Sequence, residues 1–107
     1  MGNEIKKMLE ASEEITFSKH FYEKAKLRGI NEEEIKNNLK NPKNLISVED
    51  QGEEPEGHKY ALLFSKSNKY DLKIIVSIKD KRLNVITSHI QNIKRRKVYE
   101  KWLKKPR

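Results

Sequence analysis

Residues 17–42 read FSKHFYEKAKLRGINEEEIKNNLKNP, a stretch that predicts two consecutive helices. Ser18 has the short polar side chain that caps a helix N-terminus, and Gly29 stands where a left-handed residue would end the first helix. Asn31 is placed to cap the second helix, and Asn41 followed by Pro42 would stop it because proline has no backbone N–H. The stretch therefore predicts a pair of helices joined by a short turn at Gly29.

The first of these helices carries a histidine and two cations on one face. At 3.6 residues per turn, His20, Lys24 and Arg28 follow one another at i, i+4 and i+8. Like charges at i, i+4 repel each other by about 0.2–0.5 kcal/mol, so helix stability does not explain the arrangement. An imidazole beside two permanent positive charges suits the binding, or the cleavage, of a polyanion. The alternative is an ordinary solvated helix face on which His20 is a capping or packing residue.

Length and composition narrow the class of protein. A chain of 107 residues corresponds to one domain, and 35% hydrophobic with 37% charged residues still falls in the globular range. Its apolar runs are too short for a membrane span, and no signal peptide is recognisable, so we expect a cytoplasmic protein without a membrane partner. The absence of cysteine excludes disulfides, thiolate metal sites and cysteine nucleophiles.

The positive charge is concentrated at the C-terminus. Residues 94–107 hold eight basic side chains and one acidic one, so they carry +7 of the net charge of +8. These basic residues are Lys94, Arg95, Arg96, Lys97, Lys101, Lys104, Lys105 and Arg107. A nearly neutral body with a basic terminal segment predicts an acidic partner, either a nucleic acid or an acidic protein.

Hydrophobic periodicity predicts an α+β fold. Residues 3–14 favour a helix, which predicts an N-terminal helical extension at residues 1–14. Residues 15–107 are then a single α+β domain, which begins with a brief extended segment at 15–17. After Pro42 the period changes to two, which predicts strands at 45–48, 59–65, 72–78 and 83–90 and an acidic loop at 51–57. Short turns make these four strands an antiparallel meander, with two or three helices before it. Residues 91–103 predict a basic C-terminal helix whose apolar side carries Val98, Tyr99, Trp102 and Leu103.

Histidines at the ends of two elements suggest where chemistry could occur. Alternation along the last strand places His89 on one face with Leu83, Val85 and Thr87. Metal-independent RNA cleavage needs a general base, a general acid and cations for the developing phosphorane charge. His20 and His89 are the candidate catalytic pair, although His89 is equally compatible with a half-buried structural residue, and His58 is interpreted as a loop residue outside the site. The candidate RNA- or phosphate-binding residues are Lys24, Arg28, Lys94, Arg95, Lys97 and Lys101. The spacing of histidines and carboxylates predicts neither a metal site nor a cofactor.

Several short motifs carry a resemblance to a known family. RGINEEE at 28–34, the pair Asn41 and Pro42, ITSH at 86–89 and KRRKVYE at 94–100 resemble the BrnT-like toxins, which belong to the RelE-like ribonuclease fold. The helix with His20, Lys24 and Arg28-Gly29-Ile30 is also similar to a small prokaryotic family with a His-x3-Arg-x3-Arg-Gly-Ile signature. BrnT-like chains usually lack a segment such as residues 1–14 and are richer in arginine at the strand end.

The resemblance carries expectations about fold and function. It implies a RelE-like antiparallel sheet with helices in front, metal-independent endoribonuclease activity of the toxin–antitoxin type, RNA as substrate and an acidic antitoxin-like protein as partner. The alternative is a non-catalytic nucleic-acid-binding or protein-interaction module of the same fold, because fold does not determine function.

Overall fold

The computed structural model describes residues 2–94, in which three helices and five strands form an α+β fold. The elements are α1 (Gly2–Ala11), β1 (Glu14–Phe17), α2 (Lys19–Arg28), α3 (Glu32–Lys40), β2 (Leu45–Glu54), β3 (Gly57–Ser65), β4 (Tyr70–Lys79) and β5 (Arg82–Asn92). The predicted α+β class is thus confirmed. The predicted number of four strands is wrong, because the short segment before Ser18 is itself a strand.

The sheet has the order β1-β5-β4-β3-β2 within the described residues. Strands β2 to β5 form the predicted antiparallel meander. Strand β1 pairs in parallel with the first part of β5, from Glu14 opposite Arg82 to Phe17 opposite Val85, which makes the sheet mixed. Four residues are too few to show a period-two pattern, so the sequence indicated only an extended segment there.

The predicted helix ends are confirmed. Ser18 Oγ accepts a hydrogen bond from the Phe21 backbone N–H at 3.1 Å and caps α2, and Gly29 ends it in the left-handed conformation with φ 65°. Asn31 caps α3 by accepting from the Glu33 N–H at 2.8 Å. Each cap satisfies a backbone group that the helix itself leaves without a partner.

The three helices lie on one face of the sheet and enclose a single core. Strands β3, β4 and β5 contribute their alternating apolar residues, and helix α1 contributes Ile5 and Leu9 to the same cluster, so the N-terminal extension is part of the core. The buried apolar residues are Ile5, Leu9, Phe21, Ile35, Leu39, Tyr60, Leu62, Phe64, Leu72, Ile74, Val76, Ile78, Leu83 and Val85. We call this the helix face of the sheet, and the opposite side the outer face.

A bulge in β5 changes which side chains share a face. Val85 is opposite Val76 but Thr87 is opposite Ile75, so Ile86 is an extra residue between two pairs. Beyond such a bulge the alternation of side chains is reversed. Thr87 and His89 therefore lie on the outer face, and the prediction that they share a face with Leu83 and Val85 is wrong.

Two other predictions change in the structure. Residues 51–54 are not a loop but continue β2, which a short turn at Pro55 and Glu56 connects to β3. The predicted C-terminal helix is replaced by strand at residues 91 and 92, and from residue 95 onward it lies outside the described residues. Between residues 2 and 94, no helix has the length and apolar character needed to cross a membrane.

Candidate functional site

The predicted face with His20, Lys24 and Arg28 lies on helix α2, and its side chains become less exposed toward the end of the helix. His20 lies in its first turn and is exposed, whereas Lys24 and Arg28 are half-buried. At about 100° per residue the three side chains occupy an arc of roughly 80°, with Arg28 nearest to the sheet. The rise of roughly 1.5 Å per residue separates His20 from Arg28 by about 12 Å along the helix axis.

Arg28 attaches the end of α2 to the edge of β5. Its Nη1 donates to Thr87 Oγ1 at 2.9 Å and to the Ser88 carbonyl oxygen at 3.0 Å. Strand β1 pairs with β5 only as far as Val85, and Ser18 continues the contact by donating from Oγ to the Ile86 carbonyl oxygen at 2.5 Å. Beyond Val85 no residue of β1 pairs with β5, and Arg28 donates hydrogen bonds to acceptors in this part of β5. Arg28 therefore has a structural role and also fixes a positive charge at this position.

His89 follows directly after the residues that hold Arg28. It is half-buried on the outer face, opposite Lys73 of β4. The preceding residue, Ser88, faces the other way and donates from Oγ to the Lys73 carbonyl oxygen at 3.0 Å. The structure thus brings Arg28 and His89 to one end of β5, which we call the α2–β5 corner. His20 lies at the opposite end of α2, so its pairing with His89 in catalysis stays a prediction.

The basic residues predicted for the C-terminus are described only at their start. Lys94 is exposed, and its backbone N–H donates to Asn92 Oδ1 at 2.9 Å. It stands five residues after His89, at the exit of β5. Arg95, Lys97 and Lys101 lie outside the described residues.

Two large side chains of α2 with apolar surface are exposed. Leu27 is 82% exposed and Tyr22 is 53% exposed. Leu27 lies about 20° from His20 around the helix. Tyr22 lies about 140° from Leu27 around the helix, and its ring contacts the rings of Phe17 and Phe21. Of the two, Leu27 is therefore the apolar side chain that is available to a nucleobase or to a partner protein beside His20.

The clearest polar cluster of the described residues surrounds His58, which the sequence had placed outside any site. Its Nε2 lies 2.6 Å from Asp50 Oδ1 and its Nδ1 lies 2.7 Å from Glu53 Oε1, while its ring stacks on Tyr60 at 4.6 Å between centroids. These carboxylates, Glu53 foremost, raise the pKa of the His58 imidazole. The hydrogen bond with His58 and then the one from the Gly52 N–H hold the pKa of Asp50 below its usual value. We call this group the His58 clamp.

The His58 clamp suits a structural role. An imidazole offers two hydrogen-bonding positions, and both are taken by carboxylates of the neighbouring strand β2. Within residues 2–94, no group of three or more histidine, aspartate or glutamate side chains is arranged to hold a metal ion. The sequence contains Asp50, Glu53 and His58 close together. Their contact can be inferred only when β2 is known to extend to Glu54 and to pair with β3.

A polar groove elsewhere on the surface contains no predicted site residue. It has a volume of about 630 Å³ and runs along α3 and the turn after it. Its walls include Asn31, Asn37, Asn38, Asn41 and Asn44. The groove therefore does not coincide with the α2–β5 corner.

Comparisons with known proteins identify one related family. Residues 17–88 match the model of a family described as "Domain of unknown function (DUF4258)". The match covers about two thirds of the chain and includes His20, Arg28 and the residues that hold Arg28, but it stops one residue before His89. No curated protein and no solved structure matches the chain.

Proposed function

The chain belongs to the DUF4258 family, and we propose that it is an RNA-binding protein of the RelE-like ribonuclease-toxin type that cleaves RNA by acid–base catalysis. The observation that carries this proposal is the position of Arg28. Its guanidinium is fixed on Thr87 and Ser88, immediately before His89. A permanent cation and a titratable imidazole therefore share one end of β5. The resemblance to BrnT-like toxins supports the same assignment.

The proposed reaction uses groups of this chain alone. A base removes the proton of the ribose 2′-hydroxyl, which attacks the adjacent phosphorus, and an acid protonates the leaving 5′-oxygen. His20 and His89 supply the base and the acid. Arg28 and Lys24 stabilise the negative charge that develops on the phosphorane oxygens, because fixed cations in a partly desolvated site act without reorganisation.

Basic residues outside the corner extend the RNA-binding surface. Lys94 is exposed at the exit of β5, and Lys97 and Lys101 follow it in the sequence. Contacts between lysines and phosphates release counterions, so binding weakens steeply as salt rises. We expect RNA affinity to fall by orders of magnitude between about 50 and 200 mM salt.

The test is an RNA-cleavage assay in EDTA. Wild type is compared with the double variant His20→Ala/His89→Ala, and His58→Gln serves as the matched control because it removes an imidazole from a different region. We expect the double variant to lose cleavage by at least about 100-fold, the usual contribution of acid–base catalysis, while the control retains it. Circular dichroism of each variant shows whether the fold is preserved. Undiminished cleavage by a folded double variant would rule out these two histidines as the catalytic pair.

A non-catalytic interaction module is the second candidate, and the exposure of Leu27 favours it. In that case an acidic antitoxin-like protein or RNA binds the α2 surface without turnover. Absence of cleavage by wild type, together with salt-sensitive RNA binding, would support the nucleic-acid-binding form of this candidate. Loss of binding to an acidic protein partner on Leu27→Ser would support its protein-binding form.

A further inference from the structure

The outer face of the sheet has the features of a covered surface. The described helices all lie on the helix face, yet Ala61 and Ser77 on the outer face are only 5% and 2% exposed. Ala61 is opposite Ile75, and in the next outer-face pair Leu63 is opposite Lys73. We call Ala61, Leu63 and Ile75 the apolar strip. Side chains on a solvated face of a sheet are exposed, so the burial of Ala61 and Ser77 indicates that a further layer covers this face.

A buried carboxylate marks one end of this strip. Asp71 of β4 is 0% exposed and lies on the outer face, between Ser65 and Gln91 of the neighbouring strands. Buried carboxylates are stable in proteins when a cation or several hydrogen-bond donors serve them, and Asp71 does have an interaction partner. A layer that covers this end of the strip therefore lies beside a buried carboxyl group.

The chain itself leaves the sheet beside Asp71. Asn92, the last residue of β5, is opposite Tyr70, and the Ile93 N–H donates to the Lys69 carbonyl oxygen at 2.9 Å. Residues 95–107 follow. As a helix, these 13 residues would be about 20 Å long, which is also about the length of β4 from Asp71 to Ser77.

The sequence of this segment matches the outer face in polarity. On a helix, Val98, Tyr99, Trp102 and Leu103 occupy an arc of about 140°. Arg95 falls inside this arc, at the N-terminal end, whereas Lys97, Lys101, Lys104 and Lys105 fall outside it. The apolar side of the segment begins with the cation Arg95, and the apolar strip of the outer face begins beside the buried carboxylate of Asp71. The two surfaces are therefore complementary in polarity and in charge.

We propose that the outer face of the sheet is the docking surface for residues 95–107, with Arg95 paired with Asp71 and the apolar arc placed over Ala61, Leu63 and Ile75. The sheet is then enclosed between helices on both faces. The lysines of the segment face solvent and form one continuous basic surface, while Arg95 is occupied by the protein. This arrangement does not depend on the proposed catalytic activity.

The cysteine-free chain permits a direct test by cross-linking. The double variant Lys73→Cys/Val98→Cys places one thiol on the outer face and one in the apolar arc, and Lys36→Cys/Val98→Cys is the matched control with its first thiol on α3. With a short bismaleimide, we expect at least a tenfold higher yield of cross-link within one chain for the first pair. Equal yields, or a higher yield for the control, would overturn the proposal. A product of twice the chain mass would also overturn it, since a second copy would then cover the face.

The single tryptophan allows a second test on the unaltered protein. Trp102 is the one tryptophan of the chain, so its fluorescence reports on this segment alone. We expect acrylamide to quench wild-type fluorescence several-fold less than that of the urea-unfolded chain, and Asp71→Asn to raise the quenching of a folded variant toward the unfolded value. Wild-type quenching equal to that of the unfolded chain would overturn the proposal. Unchanged protection in folded Asp71→Asn would overturn the pairing with Arg95.

Discussion

The α2–β5 corner and the His58 clamp both place a histidine among charged groups, yet they differ in how charge is compensated. At the corner, the acceptors that hold Arg28 are a hydroxyl and a carbonyl oxygen, which carry no net charge. In the clamp, the imidazole lies between the carboxylates of Asp50 and Glu53. The neutral acceptors do not compensate the positive charge of Arg28, whereas the two carboxylates of the clamp compensate the positive charge of its imidazole within the protein.

This difference shows why a histidine near charges does not by itself mark a site. A polyanion is attracted by charge that the protein leaves uncompensated. By that criterion the corner fits RNA binding, and the clamp fits a role in holding β2 against β3. Variants in the two regions should consequently separate stability from binding.

The largest expected effect is a loss of stability on Gly57→Ala, beside the clamp. Gly57 has φ 138°, and a Cβ there would lie 2.7 Å from the backbone oxygen of Ile78. Because the neighbour is backbone, no side-chain rotation relieves the contact. We expect the free energy of unfolding to fall by about 3 kcal/mol, measured by urea denaturation. RNA binding by the folded variant should be unchanged, since the corner is not altered.

Gly52→Ala is the matched control for that variant. Gly52 also has a positive φ, 93°, but a Cβ there would have nothing within 4 Å. Backbone strain alone should then cost about 1–2 kcal/mol. Equal losses for the two variants would show that the contact with Ile78 has no effect on stability.

A smaller loss of stability, now coupled to binding, is expected for Arg28→Ala at the corner. The variant removes two hydrogen bonds from a charged donor and leaves their acceptors on β5 unserved, which should cost about 2 kcal/mol. RNA affinity should also fall, and the salt dependence of binding should weaken by about one phosphate contact. Urea denaturation and a salt titration of RNA binding measure the two effects.

Arg28→Lys serves as the control for charge without the guanidinium geometry. A lysine keeps the positive charge but does not present the planar guanidinium. We expect it to retain much of the RNA affinity and to recover little of the stability. Full recovery of stability by lysine would contradict the structural role of the two hydrogen bonds.

The features that could be predicted from sequence are those that depend on near neighbours in the chain. The caps at Ser18, Gly29 and Asn31 involve partners within four residues, so residue type and spacing identify them. The alternation of β4 is equally local, and the four residues that follow it, Leu72, Ile74, Val76 and Ile78, are all buried on the helix face. The α+β class followed from these local patterns.

The features that could not be predicted depend on pairing between distant segments. Strand β1 forms because β5, whose paired residues come 68 positions later, offers it an edge. The extra residue Ile86 interrupts an alternation that looked regular in the sequence, and it moves His89 to the outer face. The contact of Arg28 with Thr87 likewise spans 59 residues. Sequence analysis could therefore select Arg28 and His89, but only the register brings them to one corner.

The smallest expected effect is the pH dependence of stability that the clamp confers. Because the pKa of His58 is raised in the folded protein, its contribution is fully present below the unfolded value of 6.5 and is lost as pH rises through the folded value. The pKa of Asp50 is lowered, so its contribution is present above the unfolded value of 3.8 and is lost as pH falls through the folded value.

Urea denaturation at about pH 5 and pH 9 should thus show wild type more stable than His58→Gln at the lower pH, with the difference declining at the higher pH. RNA affinity should be equal for wild type and His58→Gln at each pH, because the charge of the clamp is compensated. A difference in stability that grows with pH would show that the folded protein holds His58 as a neutral imidazole. Charge compensation would then not explain the difference between the clamp and the corner.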